Sequence, residues 1–260
     1  MIKWVANLSL LYYELPFLER FAAAAADGFR FIEIQFPYEV PAQAIRKALD
    51  ENALHCVLIN VPAGDLMSGG EGLACVPERR SDFVDAVTLC AMYIKILKPK
   101  FINVLPGRCL DPAQRQRRII TLVDNLRYAA DQLCPLDVTI TCEAVNRYDM
   151  PDFLISQFDE VHSLIQQVND PRVGMQFDVY HMAMMREPVV ALLKEHIESI
   201  AHIQFADAPG RHEPDTGDVD FANIFASIEQ SNYQGYVSAE YRPVAGTSAG
   251  LTWFQNKDWT

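Results

Sequence analysis

The chain has 260 residues, half of them hydrophobic, and a formal net charge of −12. That length and apolar content suit one large core, and a (β/α)8 barrel is of about this size. The acidic balance, with no basic run, argues against nonspecific binding to nucleic acid or to an anionic membrane, whereas a local arginine or cation still admits a small anionic substrate.

The first apolar run, WVANLS from Trp4, reads as a strand and not as a secretion signal, because no small-residue cleavage pattern follows it. Tyr12 and Tyr13 lie in the loop after it, near where a site would open, and read foremost as packed aromatics. PFLERFAAAAADG is a predicted helix, with Pro16 suited to its first turn and Gly28 to the position past its end. FRFIEIQF is a strand, PAQAIRKALDEN a helix again opened by proline, and HCVLIN a strand. VPAGDLMSGGEGLACVPERR has no clear period, and an irregular loop of that length inside a compact domain is commonly functional. SDFVDAVTLCAMYIKIL is a helix with Ser81 as its expected N-cap, and FINVLPG is a strand. DPAQRQRRIITLVDNLRYAADQLC is a long amphipathic helix with Asp111 as cap and Pro112 in its first turn. DVTITCEAVN, PRVGMQFDVYH, ESIAHIQFAD and YQGYVSAEY are further strands. Helices are expected near 156–168, 187–196 and 220–231, and a last one within 245–259.

Strand–helix alternation without hairpin signals predicts a parallel sheet. Roughly eight such units in this length favour a single closed (β/α)8 TIM barrel over residues 1–260, with its active site at the C-terminal ends of the strands. A doubly wound sheet is disfavoured by the lack of a dinucleotide or phosphate-loop glycine motif. No run of about 18 apolar residues predicts a membrane span. The six cysteines, scattered without a CxxC pair, read as free thiols of a reducing cytoplasm.

Glu143, Asp178, Gln204 and Glu240 each end a predicted strand, at spacings of 35, 26 and 36 residues from one to the next. In a barrel these side chains converge on the catalytic face. Carboxylates at buried strand ends are costly unless paired or bound to a cation. An all-oxygen set suits a hard divalent cation, Mg or Mn, better than Zn. Such a site polarises a carbonyl while two opposed carboxylates move a proton at the neighbouring carbon. His181, three residues after Asp178, is a candidate donor to a substrate oxygen, and Arg211 and Arg108 are candidates to hold an anionic group. Asn7, Glu33, Asn60 and Asn146 also fall at strand ends and read as structural polar groups. His55, His162, His196, His202 and His212 show no ligand spacing and read as surface or strand-start residues.

On these residues the chain resembles the hydroxypyruvate isomerase family of the xylose-isomerase-like barrels. The matching segments run in order through nearly the whole chain: ANLSLLYYELPFLERFAAAAADGF, NVPAGDLMSGGEGLACVPERR, DNLRYAA, CEAVNRYDMPDF, QFDVYHM, HIQFADAPGRHEPDTGDVD and SAEYRPV. The resemblance implies that Glu143 and Glu240 are an acid/base pair, that Asp178 and Gln204 complete a metal site, and that His181 and Arg211 contact substrate. It implies interconversion of hydroxypyruvate and tartronate semialdehyde through an enediolate, with a 2-oxo-tetronate isomerase or ketose 3-epimerase as the neighbouring possibilities. The partners expected are a small anionic 2-oxo acid and, at most, further copies of the chain. A phosphodiesterase resembling endonuclease IV is the rival from another class, and its need for a basic groove and many histidine ligands counts against it. The chain departs from the family at Ile59, where a histidine is usual, at Ala144 and Val145, where Pro-Ile is usual, and at Arg108, where lysine is usual. Ile59, with the Tyr12–Tyr13 loop, is expected to set the size of the pocket.

Overall fold

The computed structural model describes residues 2–255. Its strands are β1 (Lys3–Asn7), β2 (Phe31–Ile34), β3 (His55–Asn60), β4 (Phe101–Asn103), β5 (Thr139–Glu143), β6 (Val173–Asp178), β7 (Ile200–Phe205) and β8 (Tyr236–Ala239). Each pairs in parallel with its sequence neighbours, and β8 returns to β1, so the sheet closes as a (β/α)8 barrel. Strands buried on both faces read as unbroken apolar runs, which is why the segments of the sequence point to them so directly.

The helices are α1 (Arg20–Ala26), α2 (Ala42–Glu51), α3 (Arg80–Leu97), α4 (Arg115–Leu133), α5 (Phe158–Val168), α6 (Val179–Met184), α7 (Val189–His196), α8 (Phe221–Gln230) and α9 (Thr252–Gln255). Their apolar faces and the outward faces of the strands form one large core. A separate cluster of strand residues, Val5, Val57, Leu58 and Phe101, backed by Phe31 and Tyr236, fills the barrel towards its N-terminal end. The interior is therefore packed with apolar side chains at the floor, and the polar groups lie above it.

Several local expectations are corrected. A 3-10 turn (Pro77–Arg79) leads straight into α3, so that helix begins at Arg80 and Ser81 is not its cap. The segment expected as strand through His181 ends at Asp178, whose carboxylate accepts the Tyr180 backbone N–H at 2.8 Å and starts α6. Of the expected tail helix, a 3-10 turn (Ser248–Gly250) and α9 are described, and residues 256–259 lie outside the described residues. Asp111 caps the 3-10 turn (Pro112–Gln114) that leads into α4, accepting the Ala113 N–H at 3.0 Å, and is not the cap of α4, which begins at Arg115.

Candidate active site

Two strand irregularities lie under the mouth. The register shifts between Ile32 and Glu33 where β2 meets β3, and between Met175 and Gln176 where β6 meets β7. The extra residue in each case is on the second strand, Val57 in β3 and Ala201 in β7, and a bulge re-aims the side chains that follow it, in β7 those of His202 and Gln204. Glu33 and Gln176 join a buried network with the residues expected from sequence. Asn7 Nδ2 donates to Glu33 Oε1 at 2.8 Å and to Glu240 Oε1 at 2.9 Å. Gln204 Nε2 donates to the same two carboxylates, at 2.7 and 3.2 Å, and Gln35 Nε2 adds a bond to Glu240 at 2.9 Å. Gln204 Oε1 accepts from Gln176 Nε2 at 2.7 Å. Below them, Glu33 Oε2 lies 2.8 Å from His202 Nε2, both side chains fully buried. His202, expected at the surface or at a strand start, is thus part of the barrel interior.

The opposite side of the mouth is less satisfied. Glu143 Oε1 accepts from Asn103 Nδ2 at 2.7 Å. Burial and the nearby Asp178 push the Glu143 carboxyl up to about 8. Asp178 is 1 % exposed, and its Oδ2 has no hydrogen-bond partner. His181 Nε2 stands 3.5 Å and Arg211 Nη2 3.6 Å from that oxygen. Burial lowers the His181 imidazole to about 4, against the pull of Asp178. Burial also raises Glu240, with Arg211 acting against it through a short ion pair to Glu240 Oε2.

Arg211 reaches the mouth because the β7–α8 loop is built around one buried carboxylate. Asp207 accepts the backbone N–H groups of Ala208, Thr216, Gly217 and Val219 at 2.8–3.0 Å. The loop turns through Arg211 with a left-handed φ of 59°, and the guanidinium lies over the Tyr180 ring, 5.1 Å from its centroid.

A cavity of about 520 Å³ opens above these groups. Glu143, Gln204, Glu240, His181 and Arg211 line its floor and side, and Asn60 and Arg242 also face it. Its apolar wall comes from Phe36, Met67, Leu105, Met150, Phe153 and Met184. Met67 is carried by the long glycine-rich loop after β3, which is pinned by Asp65 to Arg79 at 2.7 Å, by Glu71 to Arg118 at 2.7 Å and by Asn125 to the Ala74 carbonyl at 2.7 Å. Gly107 permits the contact, since a Cβ there would meet the Glu71 carbonyl at 2.5 Å.

The structure therefore brings Glu143, Asp178, Gln204, Glu240, His181 and Arg211 together. Arg108 stands apart: it is not in the cavity wall, and its guanidinium contacts the Met150 thioether at 3.3 Å. Ile59 is fully buried in the core between strands and helices, while its neighbour Asn60 faces the cavity, so Ile59 does not set the pocket's size. Nor do Tyr12 or Tyr13, of which the first is packed with its hydroxyl on Asp27 at 2.9 Å. Asn7, Glu33, His202, Gln35, Asn103 and Gln176 were not singled out as site residues. Period-two spacing in a strand carries the signal for two of them, because His202 shares a face with Gln204 and Gln176 with Asp178.

Glu143, Asp178 and His181 offer ligand atoms that lie within 4.8 Å of one another, a group able to hold a metal ion. The partnerless Asp178 Oδ2 fits that role, because a buried carboxylate oxygen without a donor is costly until a cation meets it.

Fold and site together define a (β/α)8 barrel enzyme with an acidic centre at the strand ends. A sequence model described as "Xylose isomerase-like TIM barrel" matches residues 21–257, and the chain belongs to that family. It is 39 % identical to the 2-oxo-tetronate isomerase of Cupriavidus necator, over 98 % of both chains, and 38 % identical to the hydroxypyruvate isomerase of Escherichia coli, over 97 % of this chain and 98 % of that one. With relatives this close and this complete, it is an isomerase. A crystal structure described as AP endonuclease, family 2, from Brucella melitensis superposes with a TM-score of 0.94 at 36 % identity, over 98 % of each chain. A D-allulose 3-epimerase from Methylomonas shares the fold at a TM-score of 0.78 and 19 % identity, over 96 % of this chain and 88 % of that one.

Proposed function

We propose that this enzyme interconverts hydroxypyruvate and tartronate semialdehyde, with 2-oxo-tetronate as the close alternative substrate. The observation that carries the reading is a pair of buried, differently held carboxyls, Glu143 and Glu240, facing one small cavity that also presents Arg211. The names of the Escherichia coli and Cupriavidus necator relatives support it.

One of Glu143 and Glu240 takes a proton from the hydroxymethyl carbon of the substrate, and a proton is returned to the neighbouring carbon. The hydroxyl proton passes to the former carbonyl oxygen, so the carbonyl moves by one carbon with no net oxidation. Proton transfer by a positioned carboxyl contributes about 10²–10⁴-fold. Carboxyls whose environments differ, one beside an arginine and one held near neutrality, suit the two halves of that transfer. Arg211, paired with Glu240 in the substrate-free protein, is the anchor for the substrate carboxylate, with Arg242 at the rim beside it. Arg108 has no place in this scheme. His181 donates to a substrate oxygen. Glu143, Asp178, Gln204 and Glu240 would hold a divalent cation, Mg or Mn, which when bound would supply Lewis-acid polarisation of the substrate carbonyl.

Among the described residues no helix is long and apolar enough to cross a membrane, and all six cysteines are free. We read the chain as a single-domain enzyme of the cytoplasm. Incubation with hydroxypyruvate in deuterium oxide tests the reaction, because the carbon that changes acquires deuterium. Hydroxypyruvate, 2-oxo-tetronate and ketoses compared side by side test the substrate, and a higher kcat/KM on a ketose would overturn the assignment. Incision of abasic DNA would revive the phosphodiesterase reading.

A further inference from the structure

We propose that Asn146 fixes His181 in the tautomer that carries its hydrogen on Nε2, so that the ring is a hydrogen-bond donor into the cavity and not a cation ligand. The use of that donor on substrate rests on the isomerase reading; the tautomer does not.

The neighbours of the Asn146 amide fix its orientation. Its Oδ1 accepts the backbone N–H groups of Tyr148 at 3.0 Å and Asp149 at 2.9 Å. Backbone nitrogens only donate, so this end of the amide is the oxygen. The other end, Nδ2, then faces Asp149 Oδ2 at 3.0 Å and His181 Nδ1 at 2.7 Å. An amide nitrogen carries two hydrogens, and the carboxylate takes one. The second points at His181 Nδ1, which at that distance must present a lone pair. A hydrogen on Nδ1 would be driven against the amide hydrogen. The ring hydrogen therefore sits on Nε2, the nitrogen 3.5 Å from the partnerless Asp178 Oδ2. The Tyr180 hydroxyl donates to Asp149 Oδ2 at 2.7 Å and holds the chain from its far end. His181 is buried, so water does not compete for these contacts.

Two consequences follow. A histidine ligates a metal through a free lone pair, and here Nδ1 has spent its own while Nε2 has none. Within the Glu143, Asp178 and His181 group, only the carboxylates remain as ligands, and an oxygen set selects hard cations over Zn. Asn146 does not line the cavity, so it is a positioning residue that acts through the ring.

The test is long-range ¹H–¹⁵N spectroscopy of the metal-free protein labelled at histidine, with His181→Ala used to assign the signals. The expected wild-type pattern is an unprotonated Nδ1 and a protonated Nε2 on His181. Asn146→Asp puts an acceptor where the donor was, and Nδ1 is then expected to become protonated. A wild-type ring with hydrogen on Nδ1 would overturn the proposal without the Asn146→Asp protein having to fold. An unchanged ring in a folded Asn146→Asp protein would overturn the part given to Asn146. Calorimetry adds a second reading: His181→Ala is expected to bind Mn²⁺ within about threefold of wild type, while losing even a group that supports a ligand costs about 10–100-fold. A loss on that scale would sink the claim that the ring is no ligand. A protonated Nε2 in a protein without isomerase activity supports the tautomer and removes the isomerase reading, so the two failures are distinguishable.

Discussion

The two halves of the barrel mouth treat buried carboxylates in opposite ways. On the β8–β1–β2 side, Glu33 and Glu240 are saturated by Asn7, Gln35, Gln204 and Arg211, with His202 closing Glu33 from below. On the β5–β6 side, Glu143 is held by Asn103 with its carboxyl pushed up, and Asp178 keeps an oxygen without a donor. In the first half every carboxylate oxygen has a partner, although His202 Nδ1 beneath them has none, and polar networks so paired fix shape. The second is unfinished, and an unpaired buried carboxylate is tolerated where a ligand completes it. One half of the mouth thus holds its geometry while the other waits for chemistry.

The largest effect is expected where the halves cooperate. Glu143→Gln and Glu240→Gln should each lower kcat by about 10²–10⁴-fold, read by steady-state kinetics and by loss of deuterium exchange. Wild-type turnover in either variant would remove that residue from the proton transfer.

The next contrast concerns stability. Glu33→Ala strips partners from Asn7, Gln204 and His202 and should cost about 3–5 kcal/mol in denaturant unfolding, as breaking a buried pair does. Asp178→Asn keeps the bond from the Tyr180 N–H and gives up no other hydrogen bond, only the 3.6 Å ion pair with Arg211, so the metal-free protein should change by less than about 1 kcal/mol while divalent-cation binding is lost. Similar losses in both variants would erase the distinction between the halves.

A pH series sharpens the same point. The folded Glu143 carboxyl titrates near 8, above its ordinary 4.5, so between those values the folded state holds a proton that the unfolded state has lost. Stability from this group is present below 4.5 and lost as pH rises through 8. His181, lowered from 6.5 to about 4, acts with the opposite sign, but only below 6.5. From pH 6.5 to 8 Glu143 is left to act, with Glu240 adding in the same direction. Glu143 alone should then lower metal-free stability by about 2 kcal/mol across that window, at ~1.4 kcal/mol per pH unit, and Glu240 should deepen the fall. Saturating Mg²⁺ or Mn²⁺ should remove the fall, and a metal-free stability that rises with pH there would contradict the picture.

The smallest effect lies outside both halves. Ile59→Val should cost about 0.5–1.5 kcal/mol as a core truncation and leave the ranking of substrates unchanged. A changed ranking would return Ile59 to the pocket.

Much of this was legible in the chain. The barrel strands stand out because each is buried on both faces, and glycine and proline punctuate the helices between them. Glu143, Asp178, Gln204 and Glu240 were visible because carboxylates and an amide at apolar strand ends are out of keeping with their surroundings. The start of α6 was hidden: Val179 and Tyr180 read as strand, while the turn is made by the Asp178 side chain on the following backbone. His202 was hidden because a lone histidine in an apolar run does not show that Glu33, 169 residues away, will meet it.

By itself, the order of apolar runs determined the repeat, the repeat determined the barrel, and the barrel's geometry assembled the strand-end oxygens at one mouth. Only the tertiary structure decided which of those oxygens are already paired. Partner choice depends on the irregularity in β7 that precedes His202 and Gln204 and on loops that deliver Arg211 and Asn146. Those are contacts between distant segments, and hydrogen bonding at 3 Å is too short-ranged for spacing along the chain to specify.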